Sequence, residues 1–201
     1  MGKGLLERIM AVITTENLKS LLQHASKVEG DVMEIGVFVA ETFHRLAPMA
    51  NSIDRKAFAL DSFCGMDDAG EFDGDSYPKG RLSCDGVENF ERIMTRYGSG
   101  NSDYECFEGY IPTCFEAFDE KYPDHKLCFA LVDVDHYEPT VKSLDWIWGK
   151  ISTNGILVLD DYFRGKDMLA SKAIEEWIPK QHFMDYKIHA LIDSQLYMEK
   201  L

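Results

Sequence analysis

Four aspartates carry the clearest chemistry in this chain. Asp133 and Asp135 close the run Phe129-Ala-Leu-Val-Asp-Val-Asp135, and Asp160 and Asp161 close Ile156-Leu-Val-Leu-Asp-Asp-Tyr162. Runs so rich in Val, Leu and Ile are expected to be buried parallel strands. In an open α/β sheet, ligands sit just beyond the carboxyl ends of the strands. Carboxylates gathered there repel one another unless a cation or a shared proton neutralises them. Asp133, Asp160 and Asp161 therefore suggest a hard divalent metal, Mg²⁺ or Mn²⁺, with positions left open for water. A cation that chelates two adjacent substrate oxygens lowers their pKa and fixes their direction. A nearby base then takes the proton. Asp135 lies two residues past Asp133, so on an extended strand end both are expected on one side. His136 follows and reads equally as a residue touching substrate or base and as a satisfied turn histidine.

A second group of residues suits a nucleoside. The first strand, residues 32–35, ends Glu34-Ile35-Gly36. A glycine at a strand-to-helix turn lets backbone come close to a ligand. The full dinucleotide fingerprint needs three glycines, and Val37-Phe38-Val39-Ala40 supplies none of the others. Asp61 closes the next strand, residues 57–61, where an acid accepts hydrogen bonds from ribose hydroxyls. It reads equally as a turn cap.

The elements that must hold these residues follow from periodicity. Leu5, Leu6, Ile9, Met10 and Ile13 fall on one helical face, as do Leu18, Leu21, Leu22, Ala25 and Val28 after Thr14-Thr15. Residues 41–50 are expected to be helical, with Pro48 kinking or ending the helix. Helices are also expected at 87–97, 113–121, from Pro139 onward, and at 168–177. Further strands are expected at 104–107 and 127–132, with Asn154-Gly155 turning into a fifth. Residues 186–192 and 196–198 read as a hairpin about Asp193-Ser194, hence antiparallel. Strand–helix alternation with a terminal hairpin predicts one α/β domain over residues 1–201, with a mostly parallel seven-stranded sheet and helices on both faces. Residues 1–29 are expected to form its helical N-terminal segment. Residues 64–86 hold Asp67, Asp68, Glu71, Asp73 and Asp75 among glycines. That acidic stretch lacks the calcium-loop pattern and reads as a solvated loop or a substrate-gating lid.

Composition narrows the partners. The formal net charge is −14, a field that repels phosphate backbones, so nucleic acid is not expected. The five cysteines include no C-x-x-C pair and read as buried thiols of a cytoplasmic protein rather than a zinc or disulfide framework. Neither a signal-peptide pattern nor a membrane-length apolar run is present. The three tryptophans, Trp146, Trp148 and Trp177, are expected to pack in the core.

The wording of several stretches resembles one family. Gly30-Asp-Val-Met-Glu-Ile-Gly-Val-Phe38, Leu60-Asp-Ser-Phe-Cys-Gly65, Phe107-Glu-Gly-Tyr110, Leu131-Val-Asp-Val-Asp-His-Tyr-Glu-Pro-Thr140 and Asn154-Gly-Ile-Leu-Val-Leu-Asp-Asp-Tyr162 are similar to the macrocin-type O-methyltransferases, over roughly residues 30–178. The resemblance implies a Rossmann-like class I methyltransferase fold. It also implies S-adenosylmethionine as cofactor, a divalent metal, and a sugar hydroxyl of a natural product as acceptor. Carried over by position, Asp133, Asp160 and Asp161 match the metal carboxylates and Asp135 the general base, with His136 beside it. Glu34 and Gly36 match the methionine-end turn and Asp61 the ribose acid. Ser62, Glu108 and Gly109 fall in the matching cofactor segments. Ala40 stands where a glycine is usual, which would crowd the amino-acid end of the cofactor. A homodimer is compatible with the resemblance.

Other readings use the same residues. Nucleotide-sugar glycosyltransferases bind Mn²⁺ and diphosphate through a strand-end Asp-x-Asp, and one phosphatase class has an Asp-x-Asp nucleophile. That phosphatase motif belongs near the start of its sheet, whereas here three strands precede Asp133. A methyltransferase fold that only binds cofactor or a partner is a third reading, resting on Ala40 alone.

Overall fold

The computed structural model describes residues 13–73, 78–162, 169–192 and 195–201. The expected helix over residues 5–13, the Asp193-Ser194 turn and residues 74–77 of the acidic loop lie outside them, except Ile13. Seven strands form one sheet: β1 Asp31–Ile35, β2 Ala57–Asp61, β3 Tyr104–Glu108, β4 Leu127–Val132, β5 Ile151–Leu159, β6 Tyr186–Ile192 and β7 Gln195–Lys200. Their order is β3-β2-β1-β4-β5-β7-β6. Strands β1 to β5 pair in parallel, while β7 runs antiparallel to both β5 and β6. The strand order reverses between β1 and β4, which is the topological switch point where an open sheet leaves a crevice.

Alternate residues along each strand serve two cores. Val32, Ala57, Ala59, Phe129, Leu131 and Val158 face a cluster built with helices α1 (Thr15–Ala25), α2 (Phe43–Asn51) and α3 (Val87–Arg96). Met33, Ile35, Phe58, Leu60, Ala130 and Leu157 face the other, built with α4 (Thr113–Lys121), α5 (Tyr137–Trp148) and α6 (Leu169–Trp177). Both faces are covered, so the parallel strands read as continuous apolar runs rather than alternating ones. Trp177 is fully buried and Trp146 stacks on Phe115 with ring centroids 4.2 Å apart. Among the described residues no helix is long and apolar enough to cross a membrane.

Two local expectations need correction. Pro48 does not end its helix: α2 continues to Asn51. Proline cannot donate to the carbonyl four residues back, and that carbonyl, on His44, accepts instead from Ser99 Oγ at 2.5 Å. Asn154-Gly155 is not a turn before β5 but lies inside it. Leu127 pairs with Ile151 and Phe129 with Ile156, so the intervening residues of β5 bulge out of the ladder.

Candidate active site

The carboxyl ends of β1, β2 and β4 open onto a cavity of about 240 Å³, whose lining includes Glu34, Gly36, Asp61, Ser62, Gly109, Asp133, Asp135, His136 and Asp160. Gly36 owes its identity to the sheet. Its φ is +84°, and a Cβ there would stand 1.7 Å from the Asp133 carbonyl oxygen. The β1 turn and the β4 end touch backbone to backbone, and that contact brings the glycine turn beside the aspartates.

Asp61 organises the same turn. One carboxylate oxygen accepts from Val37 N–H at 2.7 Å and Phe38 N–H at 3.0 Å, the other from Phe63 N–H at 2.7 Å. The turn-cap reading of Asp61 is thus realised, with the residue still facing the cavity. Ser62 donates to Gly65 O at 2.7 Å. Glu108 pairs with Asp61 in the β2–β3 register but is exposed and outside the cavity lining, which Gly109 and Tyr110 supply instead. Glu34 is 3% exposed, and its Oε2 has no hydrogen-bond partner. Burial pushes its carboxyl well above the ordinary range, against the Arg45 charge. An orphaned buried oxygen facing a cavity is suited to a cationic or hydrogen-bond-donating ligand.

On the other side, carboxylate oxygens of Asp133, Asp135 and Asp161 lie within 4.8 Å of one another. Asp160, expected as a ligand with Asp133 and Asp161, lines the cavity but is not one of that trio, whereas Asp135, expected as the base, is. The gathering of Asp133 and Asp135 does not come from strand alternation, because β4 ends at Val132. Asp135 takes a left-handed conformation, φ +58°, and so does Asp161, φ +61°. Non-glycine residues held there are strained, a state that persists where the surroundings impose it. Ser171 Oγ donates to the Asp161 carbonyl, and Ala170 N–H to the Asp135 carbonyl at 3.2 Å, so the start of α6 holds both turns. Burial first, then the charges of Asp160, Asp161, Asp135 and Glu34, push the Asp133 carboxyl well above its ordinary range. Hard oxygen donors at this spacing, destabilised by one another, fit a divalent cation.

Sequence reasoning missed Asp73. It belongs to the acidic loop, yet its carboxylate is 2% exposed. It accepts from Tyr137 N–H, the first amide of α5, at 2.7 Å, and from Gly70 N–H at 3.0 Å. His136 Nδ1 lies 4.0 Å from it. Phe72 packs on Tyr137, and Lys172 Nζ sits 3.9 Å from the Phe72 ring centroid. The segment around Phe72 and Asp73 is therefore docked on α5 at the cavity, while Asp67, Asp68, Glu71 and Lys79 stay exposed. An aromatic residue inside an acid-rich stretch was the available signal.

A sheet with this order, whose glycine turn and acid-capped second strand open on the crevice, has the Rossmann-like arrangement of class I methyltransferases. The chain matches the family described as macrocin-O-methyltransferase (TylF) over residues 11–191. It belongs to that family and is an S-adenosylmethionine-dependent O-methyltransferase. Among solved structures, the O-methyltransferase NovP is 22% identical, with a TM-score of 0.70 over 92% of this chain and 78% of that one. Calicheamicin methyltransferase CalS11 is 18% identical, with a TM-score of 0.77 over 92% and 77%. An O-methyltransferase from Bacillus cereus, solved with S-adenosylhomocysteine, is 12% identical, with a TM-score of 0.65 over 98% and 86%. No curated protein matches the chain in sequence.

Proposed function

We propose that the protein methylates a hydroxyl of a small molecule, a sugar or glycosylated natural product, with a divalent cation orienting the acceptor oxygens. The observation that carries this reading is the meeting of strand-end carboxylates and the Gly36–Asp61 turn in one cavity. CalS11 is by name a calicheamicin methyltransferase, which supports the acceptor class.

Asp133 and Asp161 would hold the cation, Mg²⁺ or Mn²⁺, with Asp160 completing the set by its place in the motif and Asp135 close enough to touch it as well. The cation would lower the proton affinity of a chelated hydroxyl, and the cofactor would supply an electrophilic sulfonium methyl. The chain's own residues do the rest. The turn after Gly36, held by Asp61, places backbone amides beside the cofactor, and Glu34 offers its orphaned oxygen to the cofactor's cationic end. Asp135 accepts the acceptor's proton, and His136, held by the loop, walls that side. Glu108 has no part in this reading. The docked loop excludes water and orients the acceptor in line with the methyl.

Two measurements test it. Calorimetry should show S-adenosylhomocysteine binding. Methyl transfer to a vicinal-diol glycoside should stop with excess chelator and return with Mg²⁺; full activity in chelator would remove the cation from the mechanism.

A further inference from the structure

Gln195 is buried, lines the cavity and has no part in the steps above. It is the first residue of β7, and the ladder fixes its neighbours. Val132 of β4 pairs with Leu159 of β5, and Leu159 pairs with Leu196 of β7. One step further, the parallel pairing sets Asp133 beside Asp160, and the antiparallel pairing sets Gln195 on the other side of Asp160. The backbone ladder reaches that far, since Asp160 N–H donates to Val132 O at 3.0 Å. Strand alternation puts both side chains on one face. Val158 and Tyr197 share a core cluster; Asp160 lies two residues after the first and Gln195 two before the second. Asp160 therefore stands between an acid, which repels it, and an amide, which can donate to it.

The direction of that amide is set from behind. Tyr197 Oη donates to Gln195 Oε1 at 2.8 Å, and both residues are buried. With the oxygen held by the tyrosine, the atoms the amide offers to the cavity's carboxylates are its two Nε2 hydrogens. Opposed side chains on one face of an antiparallel pair have Cβ atoms about 5 Å apart, a separation one hydrogen bond can span. A neutral donor also suits a cation site. It orients a carboxylate without cancelling its charge, whereas a lysine in the same place would bind the acid as an ion pair and compete with the cation for it.

Resting on the cation reading above, we propose that Gln195 is a positioning residue of the cation site: its Nε2 donates to the Asp160 carboxylate, and Tyr197 fixes the amide that does so. Asp160 is the strand-end acid outside the closely spaced trio of Asp133, Asp135 and Asp161. Its approach to the cation is thus governed from β7, by residues that touch neither cation nor substrate.

The test is Mn²⁺ binding to full-length protein saturated with S-adenosylhomocysteine, followed by the electron paramagnetic resonance signal of Mn²⁺ in solution. Gln195→Leu should weaken Mn²⁺ binding roughly 10-fold, the scale of a lost outer-shell partner, with calorimetric S-adenosylhomocysteine affinity within about 2-fold of wild type. Tyr197→Phe should weaken it about 3-fold, and stands in if the leucine variant does not fold. Acting through Asp160, Gln195→Leu should change Mn²⁺ affinity by less than about 2-fold when Asp160→Asn is already present. Wild-type Mn²⁺ affinity in Gln195→Leu, or in Tyr197→Phe where it stands in, would overturn the role of Gln195 and leave the cation site in place. So would an equal loss with and without Asp160→Asn. If the wild-type protein binds no Mn²⁺, the cation reading itself fails and this inference with it.

Discussion

Two acidic regions of this molecule are built on opposite principles. At Glu105 on β3, Lys121 Nζ donates at 2.5 Å, Lys56 Nζ at 2.8 Å and Tyr122 Oη at 2.9 Å. Burial would raise that carboxyl, but these donors outweigh it and hold it at about 2. At Asp133 burial also raises the carboxyl, and every charge named around it is another carboxylate, so nothing reverses the shift. The first acid is satisfied within the chain and stabilises the fold. The second is costly as it stands, and on the proposed reading a bound cation would offset that cost. Acids of the same class therefore separate into structural and functional ones by who their neighbours are, not by how buried they are.

The largest expected effect lies in turnover. Asp135→Asn should lower kcat on the order of 10²–10⁴-fold, the scale for a lost general base, while S-adenosylhomocysteine binds as before. Turnover at the wild-type level would return Asp135 to the merely structural side of the comparison. Glu105→Gln should leave kcat within about 2-fold, since the residue lies outside the cavity lining.

Stability should sort the two regions with opposite sign. Glu105 has a folded value of about 2 against an ordinary 4.5. Its contribution is present above about 4.5 and is lost as pH falls toward 2. With a side chain 22% exposed, the full linkage figure is an upper bound, so Glu105→Gln should cost about 1–3 kcal/mol at neutral pH in urea melts. Asp133 is raised above its ordinary 3.8. The folded state then binds more protons than the unfolded one, so metal-free stability should fall as pH rises above about 3.8. Asp133→Asn should stabilise the chelator-treated protein by about 1–2 kcal/mol while abolishing stabilisation by Mg²⁺. Wild-type protein should gain about 2.7 kcal/mol at a hundredfold excess of Mg²⁺ over Kd. If the metal-free Asp133→Asn variant instead lost several kcal/mol, Asp133 would be a structural acid after all.

Much of this was legible in sequence because it depends on local pattern. Strand-end runs located Asp133, Asp135, Asp160 and Asp161, and the terminal hairpin predicted an antiparallel β7. What stayed hidden depends on contacts between distant segments. Nothing near Pro48 reveals that Ser99 will satisfy the carbonyl it leaves open. Nothing near Asp73 reveals that it will cap α5, more than sixty residues away. Asp61 illustrates the middle case: its position suggested both a ribose ligand and a cap, and only the fold shows the cap amides at Val37 and Phe38. Glu108 shows the limit of motif matching, since its neighbour Gly109 faces the cavity and its own side chain does not.

The smallest expected effect concerns strain. Asp135, which lines the cavity, and Asp161 and Ala40, which do not, all hold positive φ, as do Asp54, Asp85 and Asn154 elsewhere, whereas Glu105 and its partners Lys56, Lys121 and Tyr122 are absent from that set. On the proposed reading, the strain at the two aspartates would set the carboxylates that hold the cation and take the proton. Ala40 is different: it has no functional group, is fully buried, and holds φ +61° where glycine would meet no steric penalty. Its amide donates to Val37 O at 2.7 Å, which fixes that conformation within the cofactor turn. Relief of the left-handed strain, about 1–2 kcal/mol, is opposed by about 0.4–1 kcal/mol of extra freedom in the unfolded chain. Ala40→Gly should therefore stabilise by about 0.5–1 kcal/mol in denaturant melts, with S-adenosylhomocysteine affinity equal to or slightly above wild type. A loss of stability would mean the Ala40 methyl packs more usefully than its backbone suffers, and a sharp loss of affinity would mean that the strained turn itself shapes the cofactor site.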